Sequence, residues 1–599
     1  MNKHLALLLL GMLLAIAANG RYSPVLASAV PNNMSPVDAG RNIVLNLFVG
    51  QVEKIKGWQD KSTGRFTVDG APYNPAFASL MYPLAVAWKV NDKGTSQYRK
   101  DLLERIDTAV QAVLPDIGSD GRSDLVGTDG KVWQRHYDPW LYLHMIRTYS
   151  IVKGRINHDV EQKWLEALET GFNAIASKEL ILAKPYNLQL VQAVALSMAA
   201  KTLHKPQWEH VSSNFIRTVI SNQSEDGFWS EHNGPLVDYN FIYMNALGIY
   251  YAETSDESAR AALEKGAHYL YKMRYLDGSN VETVDERNYY RKDIREGNIG
   301  FAFSDIGASY INEQYETKKY IWYYTTADLL NYRQLVNSRL LAEKPRRKQS
   351  SFVSSDNKSA VRYDGSWQCS VSAYVATQSA SRWISDRQNF ISIFHKKTGL
   401  IVGGGNTKLQ PLWSTFTVGD TVLMKYVNSA DPNFIAPRGL VHVPDSAELL
   451  LKDDFGVRLG YGAEECAVRT RINDDRTMTL EYDRLAASSA QVKAHVTIIP
   501  HPGKTLVGEN GKRAVLTGAP LLWKGGTFGG YVDHDGVRFH VPSSAHVYWP
   551  VFPYDQYKKD GKADLQDARI VIEMPFDRGM ERHYVRLEIL YGREGAPWQ

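Results

Sequence analysis

The sequence predicts a helical first half followed by an antiparallel β second half, and three features carry that prediction. Up to about residue 341, apolar residues recur at three- and four-residue intervals, as in "VQAVALSMAAKTL", "DPWLYLHMIRTYSIVKG" and "YNFIYMNALGIYYAET", the spacing of helix faces. From about residue 360 the segments become short, β-branched and alternating, as in "WQCSVSAYVATQ", "RTMTLEYDRL", "QVKAHVTIIP" and "HYVRLEILYG", the pattern of half-buried strands. Between them lies "LAEKPRRKQSSFVSSDNKSA", polar, basic and serine-rich like a linker. A chain of 599 residues is also too long for one ordinary core.

The helical segments are separated by short polar stretches with Gly, Asn or Pro. No fixed-length repeat runs through them, so a closed double ring of helical hairpins is expected in place of a regular solenoid. The reading is an (α/α) toroid over 30–342, a linker over 343–359 and an antiparallel β-sandwich over 360–599. The Gly403-Gly404-Gly405 run sits between strands with no helix after it, so it is not a phosphate loop.

The first 29 residues read as an export signal. Lys3 and His4 precede the apolar run Leu5 to Ala18, and Ala27-Ser28-Ala29 supplies small residues for cleavage, with a cut near Ala18 as the alternative. The run is too short for a membrane span, and no Cys follows it to carry a lipid anchor. The expected location is therefore periplasmic or secreted. Removing the segment deletes Lys3 and Arg21 and no acid, so the formal charge goes from +4 to +2. A near-neutral mature chain gives no case for a nucleic-acid partner. Cys369 and Cys466 fit a disulfide or two separate buried thiols, and neither belongs to a zinc-cysteine cluster. No cofactor or metal is expected; His534, His540 and His546 read as scattered strand histidines.

The stretch most informative about chemistry is "EDGFWSEHNGPLVDYNFIYMNALGIYY", a polar, glycine-containing loop entering a strongly apolar helix. It holds Asp226, Trp229, Glu231, His232, Asp238 and Tyr239. Upstream, Tyr186 and Asn187 follow Pro185 at another helix start; downstream, "LDGSNVETVDERNYYRKDIREGN" carries Glu282, Asp285, Arg287 and Arg291. In "WQRHYDPWLYLH", Trp133, Arg135, His136 and Tyr137 could contact a ligand, aromatics stacking on sugar faces and Arg135 meeting a carboxylate. In the second half His395, Trp413, Arg438 and His442 lie near turns, with no motif to select among them.

An Asn at a helix entrance, then D-G-x-x-x-x-H, a Tyr several residues on and a later Arg resemble the toroid-plus-sandwich polysaccharide lyases. These include the hyaluronate, chondroitin and xanthan lyases, with heparinase II/III and alginate lyases as relatives. The matching positions are Asn187, Asp226-Gly227 through His232, Tyr239, and Arg287 or Arg291. The sequence departs from that group in "LQLVQ" after the Asn, in the His–Tyr spacing and in the arginine motif. The resemblance implies β-elimination on an acidic polysaccharide: Asn187 with an Arg would neutralise the uronate carboxylate, and Tyr239 or His232 would serve as base and acid. Trp133, Arg135, His136, Tyr137, Tyr186, Trp229 and Glu231 would then contact substrate. Two alternatives stand beside it. A glycoside hydrolase would draw two carboxylates from Asp138, Asp226, Glu231, Asp238, Glu282 and Asp285. A non-catalytic glycan-binding protein would keep only the aromatic surface. Each residue also has a local explanation, such as capping for Asn187, core packing for Tyr239 and ion pairing for the arginines.

Overall fold

The computed structural model describes residues 36–591 apart from 91–94, 128, 292–294, 319, 342–349, 380, 409, 420–439, 453, 487–489 and 578. The segment read as an export signal, the basic run at 345–348 and Arg438 thus lie outside the described residues. The chain forms two compact units. One takes the chain up to Trp229 together with Tyr239–Tyr271 and Glu296–Arg347; the other takes Ser230–Asp238, Lys272–Arg295 and everything from Lys348. Two stretches from the helical half therefore belong to the β-rich unit, an interleaving that continuous sequence patterning does not reveal. Part of the segment read as a linker is structured: Phe352–Val353 pairs with Ser359–Asp364 as the edge of a sheet.

The helical unit contains α1 (Pro36–Trp58), α2 (Met81–Val90), α3 (Ser96–Val113), α4 (Pro139–Val152), α5 (His158–Ala174), α6 (Asn187–Thr202), α7 (Pro206–Ser221), α8 (Val237–Thr254), α9 (Glu257–Lys272), α10 (Asp305–Lys318) and α11 (Tyr323–Asn331). Burial separates them into two kinds. In α4 every residue from Pro139 to Tyr149 is buried, in α6 every residue from Asn187 to Ala200, and in α8 every residue from Tyr239 to Tyr250. The helices that follow each of these bury one stripe only: α7 buries Trp208, Ser212, Phe215, Ile216 and Val219, which recur at three and four residues. A helix buried on every side next to a one-faced helix is the pairing of an inner and an outer ring. The chain closes on itself, because α11 packs against α1 and α2.

A buried polar cluster fixes that closure. Arg147 on α4 is ion-paired with Asp328 on α11, and the Tyr82 hydroxyl on α2 donates to Asp328 at 2.6 Å while accepting from Arg147 at 2.6 Å. His144, one turn before Arg147, stacks on Tyr324, and burial drives its pKa well down, so it stays neutral.

The β-rich unit is two antiparallel sheets. One runs Leu521–Trp523, His546–Val551, Arg569–Pro575, Val492–Ile498, Gly399–Val402, Ile391–His395, Trp367–Ser372, Ser359–Asp364, Phe352–Val353. The other runs Ser446–Leu450, Phe455–Tyr461, Glu464–Ile472, Thr477–Ala486, Arg582–Ile589, Val537–His540, Tyr531–His534, Thr505–Gly508, Arg513–Val515. Their inward residues, Trp367, Cys369 and Val371 from the first and Val457, Cys466, Val468 and Leu480 from the second, share one apolar core. Both cysteines are free and buried, and burial pushes each thiol up to about 12.

The Arg147–Asp328 pair gives a direct stability test. Asp328→Ala leaves a buried guanidinium without its carboxylate, which costs about 3–5 kcal/mol. Urea unfolding should show that loss, and a change below about 1 kcal/mol would mean solvent reaches the pair.

Candidate active site

A helix buried on every side can offer polar groups only at its ends, and the helical candidates sit at such ends. Asn187 is the first residue of α6 and is 1% exposed. The cap position itself is Tyr186, with extended backbone and no side-chain capping bond, so Asn187 is not there as the N-cap. Tyr239, 2% exposed, is in the first turn of α8. One turn on, the Tyr243 hydroxyl donates to the Pro185 carbonyl at 3.4 Å, just ahead of Asn187. Residues four apart share a helix face, so Tyr239 and Asn187 lie at the same end of the helical unit. The chain is pinned next to Tyr239: Asn240 accepts from the Trp229 amide at 2.7 Å and donates to the Trp229 carbonyl at 3.1 Å. The Asp226-Gly227 turn needs its glycine. Gly227 has φ 104°, and a Cβ there would run into the Lys265 carbonyl.

Trp229 belongs to the core and not to a sugar-stacking surface. It is 2% exposed, stacks on Tyr243 with ring centroids 5.1 Å apart, and donates its indole N–H to the Val219 carbonyl at 2.9 Å. Tyr137 is also buried, lying beneath the Arg122 guanidinium, and its carbonyl accepts from Gln192 on α6 at 2.8 Å. His136 is buried 3.5 Å from Asp138, whose carboxylate caps α4 through the Trp140 and Leu141 amides. Trp133 is half-buried against the Gly127 turn of its own hairpin. Arg135 is exposed, donates to the Arg122 carbonyl at 2.6 Å and lies 3.6 Å from Asp124. Tyr186 is half-exposed at the α6 entrance.

The β-rich unit holds the remaining candidates. Ser230–Glu231 and Gly234–Pro235 form a short hairpin, and His232 in its turn has φ 56°, an uncommon conformation for a non-glycine residue. Glu231 is buried. Asn233 anchors the turn by donating its amide and side-chain nitrogens to the Glu286 carboxylate, each at 3.3 Å, and Glu286 forms a buried ion pair with Arg387. Arg287 donates to the Trp383 carbonyl and packs over that ring at 4.5 Å. Arg291 is paired with Asp567 at 3.1 Å and Asp555 at 3.4 Å. Arg287 is buried and Arg291 partly exposed, and each is tied within the β-rich unit by partners more than ninety residues away in sequence.

Several carboxylates are equally committed. Glu282 accepts from Tyr275 at 2.7 Å, Ser392 at 2.6 Å and the Gly404 amide at 3.0 Å, and burial raises its pKa. Asp238 accepts from Asn280, Asn288 and Arg295. Asp285 accepts the amides of Arg287 and Asn288.

No family model and no curated protein sequence matches the chain. Heparinase III, among solved structures, superposes with a TM-score of 0.52 at 12% identity, over 95% of this chain and 88% of that one. The fold is that of heparinase III. A Paenibacillus xanthan lyase (TM-score 0.48, 9% identity, 94% of this chain, 58% of that one) and a heparan sulfate lyase of Pedobacter heparinus (0.45, 10%, 95% and 86%) also match. At these identities the likeness to heparinase III is one of fold.

Within the heparinase III fold, the β-domain histidines singled out by sequence take separate partners. Burial pushes His395 down to about 4, and its ring nitrogen meets the Asp475 carbonyl at 3.0 Å. His540 pairs with Glu588, His546 with Glu573, and His534 accepts from the His501 amide. Trp413 is buried, donating to the Val551 carbonyl at 3.1 Å. No group of metal-ligating side chains comes together among the described residues. Sequence reasoning missed Arg295 and the buried partners of His442, which meets Asp386 at 3.0 Å, itself 3.9 Å from Lys408. Asp386 and His442 are 56 residues apart, and no local motif joins them.

The Trp229 placement makes a prediction. Trp229→Ala should destabilise the protein by about 3–5 kcal/mol in urea unfolding. A variant of unchanged stability that binds polysaccharide more weakly would instead put the indole at the ligand.

Proposed function

We propose that the protein is a polysaccharide lyase that cleaves a uronate-containing polysaccharide by β-elimination. The observation that carries this reading is the placing of Asn187 and Tyr239 in the first turns of two helices tied together by the Tyr243–Pro185 bond, in a chain that shares the heparinase III fold over 95% of its length. A uronate carboxylate resists loss of the adjacent C–H proton because the electrons left behind add charge to it. An amide donor such as Asn187 offsets that charge as it develops. Tyr239 then takes the proton, the C–H electrons form the C=C bond, and the glycosidic oxygen leaves with a proton returned to it. An unperturbed phenol titrates near about pH 10, so this role needs a cation beside the phenolate. His232 is the alternative base, held in a left-handed turn of the kind that accompanies functional strain.

The hydrolase alternative loses support from the occupied carboxylates. Glu282 and Asp238 each accept three hydrogen bonds, and Asp138 caps α4. Arg135, exposed at the hairpin before α4, is the substrate-contact residue best supported by its position. Export belongs to the same proposal, since a polymer is met outside the membrane; N-terminal sequencing of the secreted or periplasmic protein tests it, and an intact leader in the cytosol would contradict it.

Incubation of the purified protein with alginate, glycosaminoglycans and glucuronan should produce ultraviolet absorbance from the conjugated C=C bond with at least one polymer. Tyr239→Phe and Asn187→Ala should each lose about 10²–10⁴-fold in rate while remaining folded. New reducing ends without absorbance would indicate hydrolysis and overturn the proposal.

A further inference from the structure

Asp238, the residue before Tyr239, holds an unusual number of donors for one half-buried carboxylate. Its Oδ1 accepts from Asn280 Nδ2 at 2.7 Å, and its Oδ2 from Asn288 Nδ2 at 3.0 Å and Arg295 at 2.8 Å. These three come from the segment 280–295, which joins the β-rich unit together with Asp238. Asn288 also reaches a second carboxyl group: its backbone amide donates to Asp285 Oδ1 at 2.9 Å, and its own Oδ1 accepts from Tyr557 at 3.2 Å. Two carboxyl groups are therefore linked through one asparagine. With Asn240 clamped to Trp229, the residues on both sides of Tyr239 are fixed by hydrogen bonds.

We propose that Asp238 is a positioning residue that sets the first turn of α8 and thereby Tyr239, and that the Asp285 carboxyl linked to it through Asn288 makes this hold sensitive to pH. The inference rests on the lyase reading of Tyr239. Burial, and after it the charge of Asp238, pushes the Asp285 carboxyl up to about 7. The charged groups around the pair are Arg295 on Asp238, and Arg387 with its partner Glu286 beside Asp285. Below about pH 7 Asp285 is neutral. Above it, a second buried negative charge repels Asp238 across the asparagine that bonds both, so the grip on the first turn of α8 loosens.

The sign for stability follows from linkage. Asp285 holds its proton in the folded state up to about pH 7 but loses it in the unfolded chain near about pH 4. Folding then binds a proton across that window, and stability falls as pH rises through it and is level above. Asp285→Asn keeps the shape and the acceptor oxygen without titrating.

The test compares wild type, Asp238→Asn and Asp285→Asn in the full protein, with kcat and KM on a cleaved uronate polymer and melting temperatures across pH. Wild-type kcat should fall above about pH 7, and Asp285→Asn should match wild type in acid while losing that fall. Asp238→Asn should lower kcat about tenfold or more and leave KM within about twofold. An Asp285→Asn profile superposing on wild type, or an Asp238→Asn kcat within about twofold of wild type, overturns the inference. If wild type cleaves no uronate polymer, the lyase reading fails separately, and melting decides here. The advantage of Asp285→Asn over wild type should widen from about pH 4 to about pH 7 and then stay constant, and a pH-independent difference overturns it.

Discussion

Because α4, α6 and α8 are packed on all sides through most of their length, none of them has a lateral surface to give to a ligand. Polar side chains placed mid-helix, such as Arg147 and Gln192, are taken up by partners inside the unit, as burial requires. The first turns are different. There the backbone amides have no intrahelical partner, and the entering loop brings polar residues with it. Asp138 caps α4, Asn187 opens α6 and Tyr239 sits in the first turn of α8. The Tyr243–Pro185 bond brings two of these starts together. Ring packing thus decides where chemistry can occur before any particular side chain is considered, and the Arg147–Asp328 pair matters because it joins α4 to α11, which closes the ring.

Inside the β-rich unit the organising constraint is charge. Glu286 with Arg387, Arg291 with Asp555 and Asp567, and Asp238 with Arg295 are each matched over short distances. A buried charge without a partner would cost several kcal/mol, so these groups are fixed in place by one another. That explains why the arginines resembling a lyase motif, Arg287 and Arg291, serve as internal ties. It also explains why a carboxylate-rich loop is not automatically a hydrolase site: Glu282 and Asp238, each accepting three internal hydrogen bonds, are held by the protein itself.

Much of the fold was legible in the sequence because period carries it. The switch from three- and four-residue spacing to alternation near residue 360 marks the passage from helices to strands, whereas the division into inner and outer helices emerged only from burial. The starts of α6 and α8 were legible for a local reason, since Pro185 and the Gly227 turn announce them. Other features depend on partners far along the chain. Trp229 in a polar loop looks exposed until Tyr243 and Val219 enclose it. Arg287 looks free until Trp383 and Tyr557 meet it. The assignment of Ser230–Asp238 and Lys272–Arg295 to the β-rich unit could not be read from segments whose neighbours are helical.

The central claim is that the glycosidic bond is broken by elimination at Tyr239, without water entering the products. Cleavage of a uronate polymer in water enriched in heavy oxygen, followed by mass spectrometry of the oligosaccharides, tests it most directly. Elimination predicts that fragments carrying a new non-reducing end are lighter by one water than their hydrolytic counterparts, with no heavy oxygen introduced by bond cleavage. Heavy oxygen built into the new chain ends at the moment of cleavage would contradict it.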